Sequence, residues 1–312
     1  MTVAVVGSGV VGVATGRGLG RHGHGVVFCD VSTERLAILR GQGLSAVEPA
    51  GLGAIAVDAY LISVPTPTVE GRVDLSYVRE AASAVGGALG TVHRRGRARW
   101  SVAVIRSTVP PGTTEDLVIP TLASASGLNP GRDFGVCVNP EFLRAASAEE
   151  DFARPRVIVI GALDRRSEMT LRHLYAPWAG VPVVTTSLRT AEAAKYVANL
   201  FNAAKISFFN EMDQALLALG AEPEDAFAAA ALGAEGLWNP RYGTRGGSPY
   251  GGVCLPKDTL AFRGLAEERG LGHLVSILRA TIDVNERMEA ELRREAGHPV
   301  VGATPETSRA PA

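Results

Sequence analysis

The run Val3-Ala4-Val5-Val6-Gly7-Ser8-Gly9-Val10-Val11-Gly12 decides the fold. Four consecutive apolar residues predict a short strand covered on both faces, as in a parallel sheet. Gly7-x-Gly9-x-x-Gly12 follows at once, and small residues over 10–20 predict a helix that packs closely on that sheet. Val26-Val27-Phe28-Cys29 predicts the next strand, which ends at Asp30, 18 residues beyond Gly12. This context of strand, glycine turn, helix, strand and terminal acid is what a dinucleotide-binding fingerprint requires. Gly7, Gly9, Val10, Val11 and Gly12 are the candidate contacts to a pyrophosphate at a helix N-terminus. Asp30 is the candidate acceptor for ribose hydroxyls, and its charge repels a 2′-phosphate, which favours NAD over NADP. The plain alternative is a glycine turn made only for tight packing.

Further apolar runs predict strands over 59–64, 101–105, 135–138, 156–160 and 181–185. Helices are expected over about 75–89, with Asp74 as its N-cap, and over about 113–125 and 164–176. The alternation predicts an α/β fold, a doubly wound Rossmann-type parallel sheet. After 186 the character changes. Residues 188–219 are long and amphipathic without an interior breaker, and helices follow over 222–232, 256–270 and 272–295. The expected organisation is a dinucleotide-binding domain over 1–187, an all-α domain over 188–295 and a disordered tail over 296–312.

Length and composition agree. The 312 residues suit about two domains. Hydrophobic residues make up 46% and charged residues 20%, enough apolar matter for a core, so wholesale disorder is excluded. A net charge of -1 gives no electrostatic footprint for nucleic acid or an anionic membrane surface. No apolar run approaches the ~20 residues of a membrane span, and no targeting segment is visible. A cytoplasmic protein is the expectation. The three cysteines Cys29, Cys137 and Cys254 are too few for a disulfide framework. Only Lys195, Lys205 and Lys257 among 31 basic residues are lysines. A GC-rich genome explains the bulk bias, and the lysines retained point to positions that need an amine.

Two turns sit just after strands, where open α/β sheets bind ligands. They are Ser63-Val64-Pro65-Thr66-Pro67 and Ser107-Thr108-Val109-Pro110-Pro111-Gly112. Their hydroxyls suit a cofactor and substrate cleft, or plain turn chemistry. Cys254 lies in Gly251-Gly252-Val253-Cys254-Leu255-Pro256-Lys257-Asp258, where Pro256 is placed to open a helix. A thiol near a helix N-terminus and beside Lys257 favours thiolate; a buried loop cysteine is the plain reading. Cys29 and Cys137 fall within strands and read as inert. Lys195 and Asn199 stand four apart on the long helix and share a face. An amine and a carboxamide there can hold a water or an oxyanion, against the plain reading of a solvated face.

Together these pieces resemble the UDP-glucose/GDP-mannose dehydrogenase family. The matching motifs include the glycine turn, Glu48-Pro49-Ala50-Gly51-Leu52, both turns above, Asn139-Pro140-Glu141-Phe142-Leu143-Arg144, Glu192-Ala193-Ala194-Lys195-Tyr196-x-x-Asn199, Asn210-Glu211 and the cysteine motif. The resemblance covers roughly residues 1–290. It implies NAD and a nucleotide-sugar substrate, with UDP-glucose the default. The implied reaction is a four-electron oxidation of a sugar C6 alcohol to a carboxylate. Cys254 is implied to form a thiohemiacetal and then a thioester. Lys195 and Asp258 resemble the pair that orders a water, Asn199 an oxyanion donor, Glu141 a base for thioester hydrolysis, and Thr108 a hydroxyl near cofactor and water. Pro65, Thr66 and Lys257 join the cofactor contacts, and no metal is implied. Family members pair through the helical domain, so a homodimer is expected.

The chain departs from the family pattern in three places. A third, nucleotide-sugar domain is not seen. The segment from Leu52 to Ala59 is short, so the sheet is expected to lack an element. Ala145-Ala146 replaces the usual Glu-Gly. These departures keep two other readings in view: a two-electron dehydrogenase of the β-hydroxyacid type using Lys195 and Asn199, and a catalytically impaired NAD-binding partner or regulatory protein.

Overall fold

The computed structural model describes residues 1–96 and 99–296. Apart from Ala296, the tail expected over 296–312 lies outside them. The chain divides into two compact units, Met1–Asn199 and Leu200 onward.

The first unit runs β1 (Thr2–Val6), α1 (Val10–Arg21), β2 (Gly25–Cys29), α2 (Thr33–Gly41), β3 (Ser45–Val47) and β4 (Ala59–Ile62). A small hairpin of β5 (Thr68–Val69) and β6 (Arg72–Val73) precedes α3 (Ser76–Arg94) and β7 (Val102–Ile105). One π turn at Thr114–Val118 leads into α4 (Ile119–Ser126), then β8 (Gly135–Val138), α5 (Ala148–Ala153), β9 (Ile158–Ala162), α6 (Arg165–Leu174) and β10 (Val183–Thr186). Eight strands form the main sheet in the order β10-β9-β8-β7-β4-β1-β2-β3. All neighbours are parallel except β8 and β9. The doubly wound, mostly parallel sheet is therefore present.

Strand periodicity explains the two cores. Val3, Val5, Leu61 and Val104 join α1, α2, α5 and α6 on one face through Leu19, Leu36, Phe152 and Leu171. Ala4, Val6, Ile62 and Ile105 join α3 and α4 on the other through Val85, Leu89 and Leu122. Alternate residues supply opposite faces, and both faces are covered. The chain winds outward from β1 to β3, then returns to β4 on the other side of β1. This reversal opens a topological switch point at the carboxyl ends of β1 and β4, where such sheets bind ligands.

Several boundaries move. The strand expected over 59–64 stops at Ile62, and that over 181–185 is Val183–Thr186. Asp74 is not the N-cap residue: α3 starts at Ser76, and Asp74 Oδ1 accepts the Ser76 N–H at 2.9 Å from just outside the helix. The short segment before β4 folds as a 3-10 helix, Pro49–Ala54, after the edge strand β3.

Helix α7 (Leu188–Ala218) begins in the first unit and continues into the second. The second unit adds α8 (Pro223–Gly233), α9 (Glu235–Trp238), α10 (Cys254–Glu268) and α11 (Ser276–Glu295). No helix among the described residues is long and apolar enough to cross a membrane.

Candidate active site

The glycine turn is built by close backbone approach. Gly7 has φ +96°, and a Cβ there would sit 2.5 Å from the Ser63 carbonyl oxygen. A Cβ on Gly12 would lie 2.0 Å from the Gly7 carbonyl. Only glycine lets β1, β4 and α1 meet this tightly. A Cβ on Gly9 would meet nothing nearer than Arg35 Nη1 at 3.9 Å, so that face of the turn is open. Gly9 is the N-cap of α1 and offers no side-chain cap. The first-turn N–H groups, those of Val10 and Val11 among them, are therefore left for an anion.

Asp30 directly follows β2 and is 9% exposed. Its carboxylate accepts the backbone N–H of Ser8 at 2.7 Å and of Ser32 at 2.9 Å, as well as the Ser8 hydroxyl. Burial alone raises its pKa, but these bonds and Arg35 outweigh burial and hold the carboxyl below its usual range. Oδ1 takes one donor and Oδ2 takes two. The two turns interlock: Thr66 Oγ1 donates to the Thr108 carbonyl at 2.8 Å, and Ser107 Oγ to the Val64 carbonyl at 2.7 Å. Pro65 is exposed beside them, and Ser63 Oγ is buried without a hydrogen-bond partner among the described residues. An open glycine turn, an uncapped helix start and an anchored acid fit a dinucleotide. All but one of the candidate cofactor contacts thus gather at the carboxyl edge of β1, β2, β4 and β7. The exception, Lys257, lies in the second unit.

The same edge carries a buried ion pair. Asn139-Pro140-Glu141 follows β8, and Glu141 Oε2 accepts the Leu143 N–H at 2.5 Å. Its Oε1 lies 3.1 Å from Lys195 Nζ, with side-chain exposures of 12% and 8% respectively. Lys195 also stands 5.6 Å from the Phe142 ring centroid. The solvated-face reading therefore fails for Lys195. Asn199, one turn further on, is exposed.

Glu192 was missed as a functional residue, though it stands in the quoted motif. It is 2% exposed and accepts the N–H groups of Gly112 at 2.5 Å and Thr114 at 2.8 Å. It thereby fixes the start of α7 against the turn that carries Thr108. Burial raises its pKa, partly offset by the bonds from Thr114 and Gly112.

In the second unit α10 begins at Cys254 itself, two residues before Pro256, and the thiol is exposed. The buried-loop reading of Cys254 is thus corrected. Lys257 and Asp258 form an exposed ion pair in the first turn of the helix. The preceding loop is pinned by Asn285, 6% exposed, whose Oδ1 accepts the Tyr250 N–H at 2.7 Å. Glu211 caps α11 through the N–H groups of Ser276 at 3.0 Å and Ile277 at 2.8 Å. Asn285 gave no motif signal; its one clue is a polar side chain three residues beyond the buried Ile282 of α11. Cys29 and Cys137 are buried, as expected of core thiols. Burial pushes the Cys29 pKa up to about 12 and raises that of Cys137 as well.

Residues 52–179 match the NAD binding domain of the UDP-glucose/GDP-mannose dehydrogenase family, and residues 189–287 match its central domain. GDP-mannose 6-dehydrogenase of Azotobacter vinelandii is 33% identical over 84% of this chain and 63% of its own length. UDP-glucose 6-dehydrogenase of Rickettsia conorii is 33% identical over 94% of this chain and 68% of its own. Among solved structures, a ternary complex of GDP-mannose dehydrogenase from Pseudomonas aeruginosa superposes with a TM-score of 0.84 at 29% identity, covering 96% of this chain and 71% of that one. The chain thus spans about two thirds of the length of the relatives it matches. With both domain models matched in order, the chain belongs to the UDP-glucose/GDP-mannose dehydrogenase family.

Proposed function

We propose that the chain oxidises the C6 alcohol of a nucleotide sugar to a carboxylate, with NAD as oxidant. The observation that carries this is the buried Lys195–Glu141 pair at the same sheet edge as the dinucleotide elements. The oxidising power would come from two NAD molecules used in turn, one hydride each. Gly7, Gly9, Val10, Val11, Gly12 and Asp30 would hold the cofactor, with Pro65, Thr66, Thr108 and Lys257.

The alcohol loses a hydride and a proton and becomes an aldehyde. The Cys254 sulfur adds to the carbonyl carbon, and the resulting oxyanion takes a proton, giving a thiohemiacetal. Loss of a second hydride and of that proton leaves a thioester. Water attacks the thioester carbon, the C–S bond breaks, and the sulfur leaves as thiolate with a carboxylate product. Glu141 takes a proton from the attacking water, while Lys195 and Asp258 order it. Asn199 donates to the oxyanion, and Thr108 stands by cofactor and water.

Relatives named for UDP-glucose and for GDP-mannose match at equal identity, so both sugars enter the test. NADH yield per sugar consumed is measured by absorbance for wild type and Cys254→Ala. Two NADH per sugar, lost in the variant, is the expected result. One NADH per sugar, or full turnover by the variant, would overturn the four-electron reading. Turnover of neither sugar would count against both as substrates.

We also assign the chain to a reducing compartment, the cytoplasm, because all three thiols are free. Native protein isolated from cells with Cys254 in a stable disulfide would refute that. Pairing of two copies along α7 is proposed from its exposed Val197, Leu200, Phe201 and Ile206. Sedimentation that finds only monomer at micromolar protein would rule it out.

A further inference from the structure

The first unit holds a buried cation that the proposed chemistry leaves unused. Arg106 follows β7 and is 4% exposed. Its Nε donates to Thr15 Oγ1 at 2.9 Å. Its Nη1 donates to Asn139 Oδ1 at 2.6 Å, to the Asn139 carbonyl at 3.4 Å and to the Tyr175 hydroxyl at 3.1 Å. Every one of these acceptors is neutral. Tyr175 is itself buried, its pKa raised by burial, and its hydroxyl donates to Asn139 Oδ1 at 2.6 Å. Nη2 donates to nothing among the described residues. Yet Nη2 is not among the sealed, partnerless polar atoms, and Arg106 lines a cavity of about 340 Å³.

The other charges on that cavity do not neutralise it. Glu141 is committed to Lys195. Asp151 is committed to Arg144, which holds it through two nitrogens at 2.7 Å and 3.1 Å, and to the Ser147 hydroxyl. Arg154 and Arg156, on the segment between α5 and β9, also line the cavity and form no ion pair among the described residues. Among the described residues, three guanidinium groups, the buried one of Arg106 and the exposed ones of Arg154 and Arg156, therefore line one cavity without a counter-ion. Burying Arg106 unpaired is costly, and an anion at Nη2 relieves that cost.

We propose that this cavity binds a phosphate-class oxyanion, a phosphomonoester or diphosphate group held by Arg106 Nη2 with Arg154 and Arg156. Guanidinium forks suit the several oxygens of such a group, whereas a single carboxylate would leave most of the charge unmatched. The volume is near the low end of the ~300–1,000 Å³ typical of small-molecule sites, so an attached organic group fits as well. Phe142 and Leu143 supply apolar wall for it. Because Arg106 also grips Asn139, an anion here bears on the turn that presents Glu141. The oxyanion has two possible sources, the diphosphate of the nucleotide sugar or a separate phosphorylated molecule.

The test is calorimetric titration of the full chain with inorganic pyrophosphate. Saturating NADH is present throughout, so the dinucleotide site is filled and no turnover occurs. One pyrophosphate per chain is expected to bind. Affinity is expected to fall at least tenfold in Arg154→Ala/Arg156→Ala and to be unchanged in Arg132→Ala/Arg165→Ala, which removes two surface arginines elsewhere. Arg106→Lys, which keeps the charge but loses the fork, is expected to weaken binding severalfold. No binding by the wild type, or equal weakening by both double variants, would overturn the site. Repeating the titration with UDP-glucose or GDP-mannose assigns the source. Loss of the signal identifies the substrate's own diphosphate, and persistence identifies a separate ligand.

Discussion

Replacing Lys195 with Met keeps most of the side-chain volume and removes the charge opposite Glu141. At 3.1 Å the two charges attract by about 5 kcal/mol for an effective dielectric constant of ~20. Desolvating groups that are only 8% and 12% exposed cancels much of that. Breaking a buried pair by removing one partner costs ~3–5 kcal/mol. Glu141 keeps its bond from the Leu143 N–H, which places Lys195→Met at the lower end, about 3 kcal/mol. Glu141→Gln leaves the lysine an amide oxygen and is expected to cost about 2 kcal/mol. The double variant strands no charge, so it is expected to cost about 3 kcal/mol rather than the sum, a coupling of about 2 kcal/mol. Urea unfolding measures this, read by tryptophan fluorescence in a Trp238→Phe background. Trp100 and Trp178 then report the first unit alone. Additivity within about 0.5 kcal/mol would refute the pair as an energetic unit.

Two further outcomes are expected. Glu192→Ala strands two backbone donors and should destabilise by about 3 kcal/mol, Glu192→Gln by about 2. The folded pKa of Glu192 lies above its unfolded value near 4.5, so its contribution is full below that value and is lost as pH rises through the folded pKa. The stability gap between wild type and Glu192→Gln should therefore narrow as the pH rises above the unfolded value near 4.5, and a gap that widens would contradict this. For Asp30→Ala, titration should show NAD weakened about tenfold and NADP tightened, because the charge that repels a 2′-phosphate is gone. An unchanged ratio of the two affinities would remove Asp30 from cofactor choice.

Much of this was legible along the chain because the central strands are buried on both faces. Residues 59–62 and 102–105 are buried without exception, so they appear as unbroken apolar runs. Helix α2 was missed because only Leu36 and Leu39 turn inward, too few for a periodic signal. Edge strand β3 is three residues long, and the hairpin at 68–73 is exposed. Lys195, Asn199, Cys254 and the glycine turn stood out as motifs. The burial of Lys195 did not, because Lys195 stands on helix α7 and its partner Glu141 lies far away in sequence, in the turn after β8.

By itself the sequence determined the doubly wound sheet, the dinucleotide turn and the change to helices near residue 188, and it singled out the side chains to which the proposed chemistry is assigned. Those follow from periodicities and spacings that act over a turn or two of chain. Tertiary structure alone decided which polar groups hold that chemistry in place. Glu192 reaches back 80 and 78 residues to cap the turn at Gly112 and Thr114. Arg106 reaches 91 residues to Thr15 and 69 to Tyr175. A buried polar group must find its partner wherever the fold brings one, and no local pattern records which one that is.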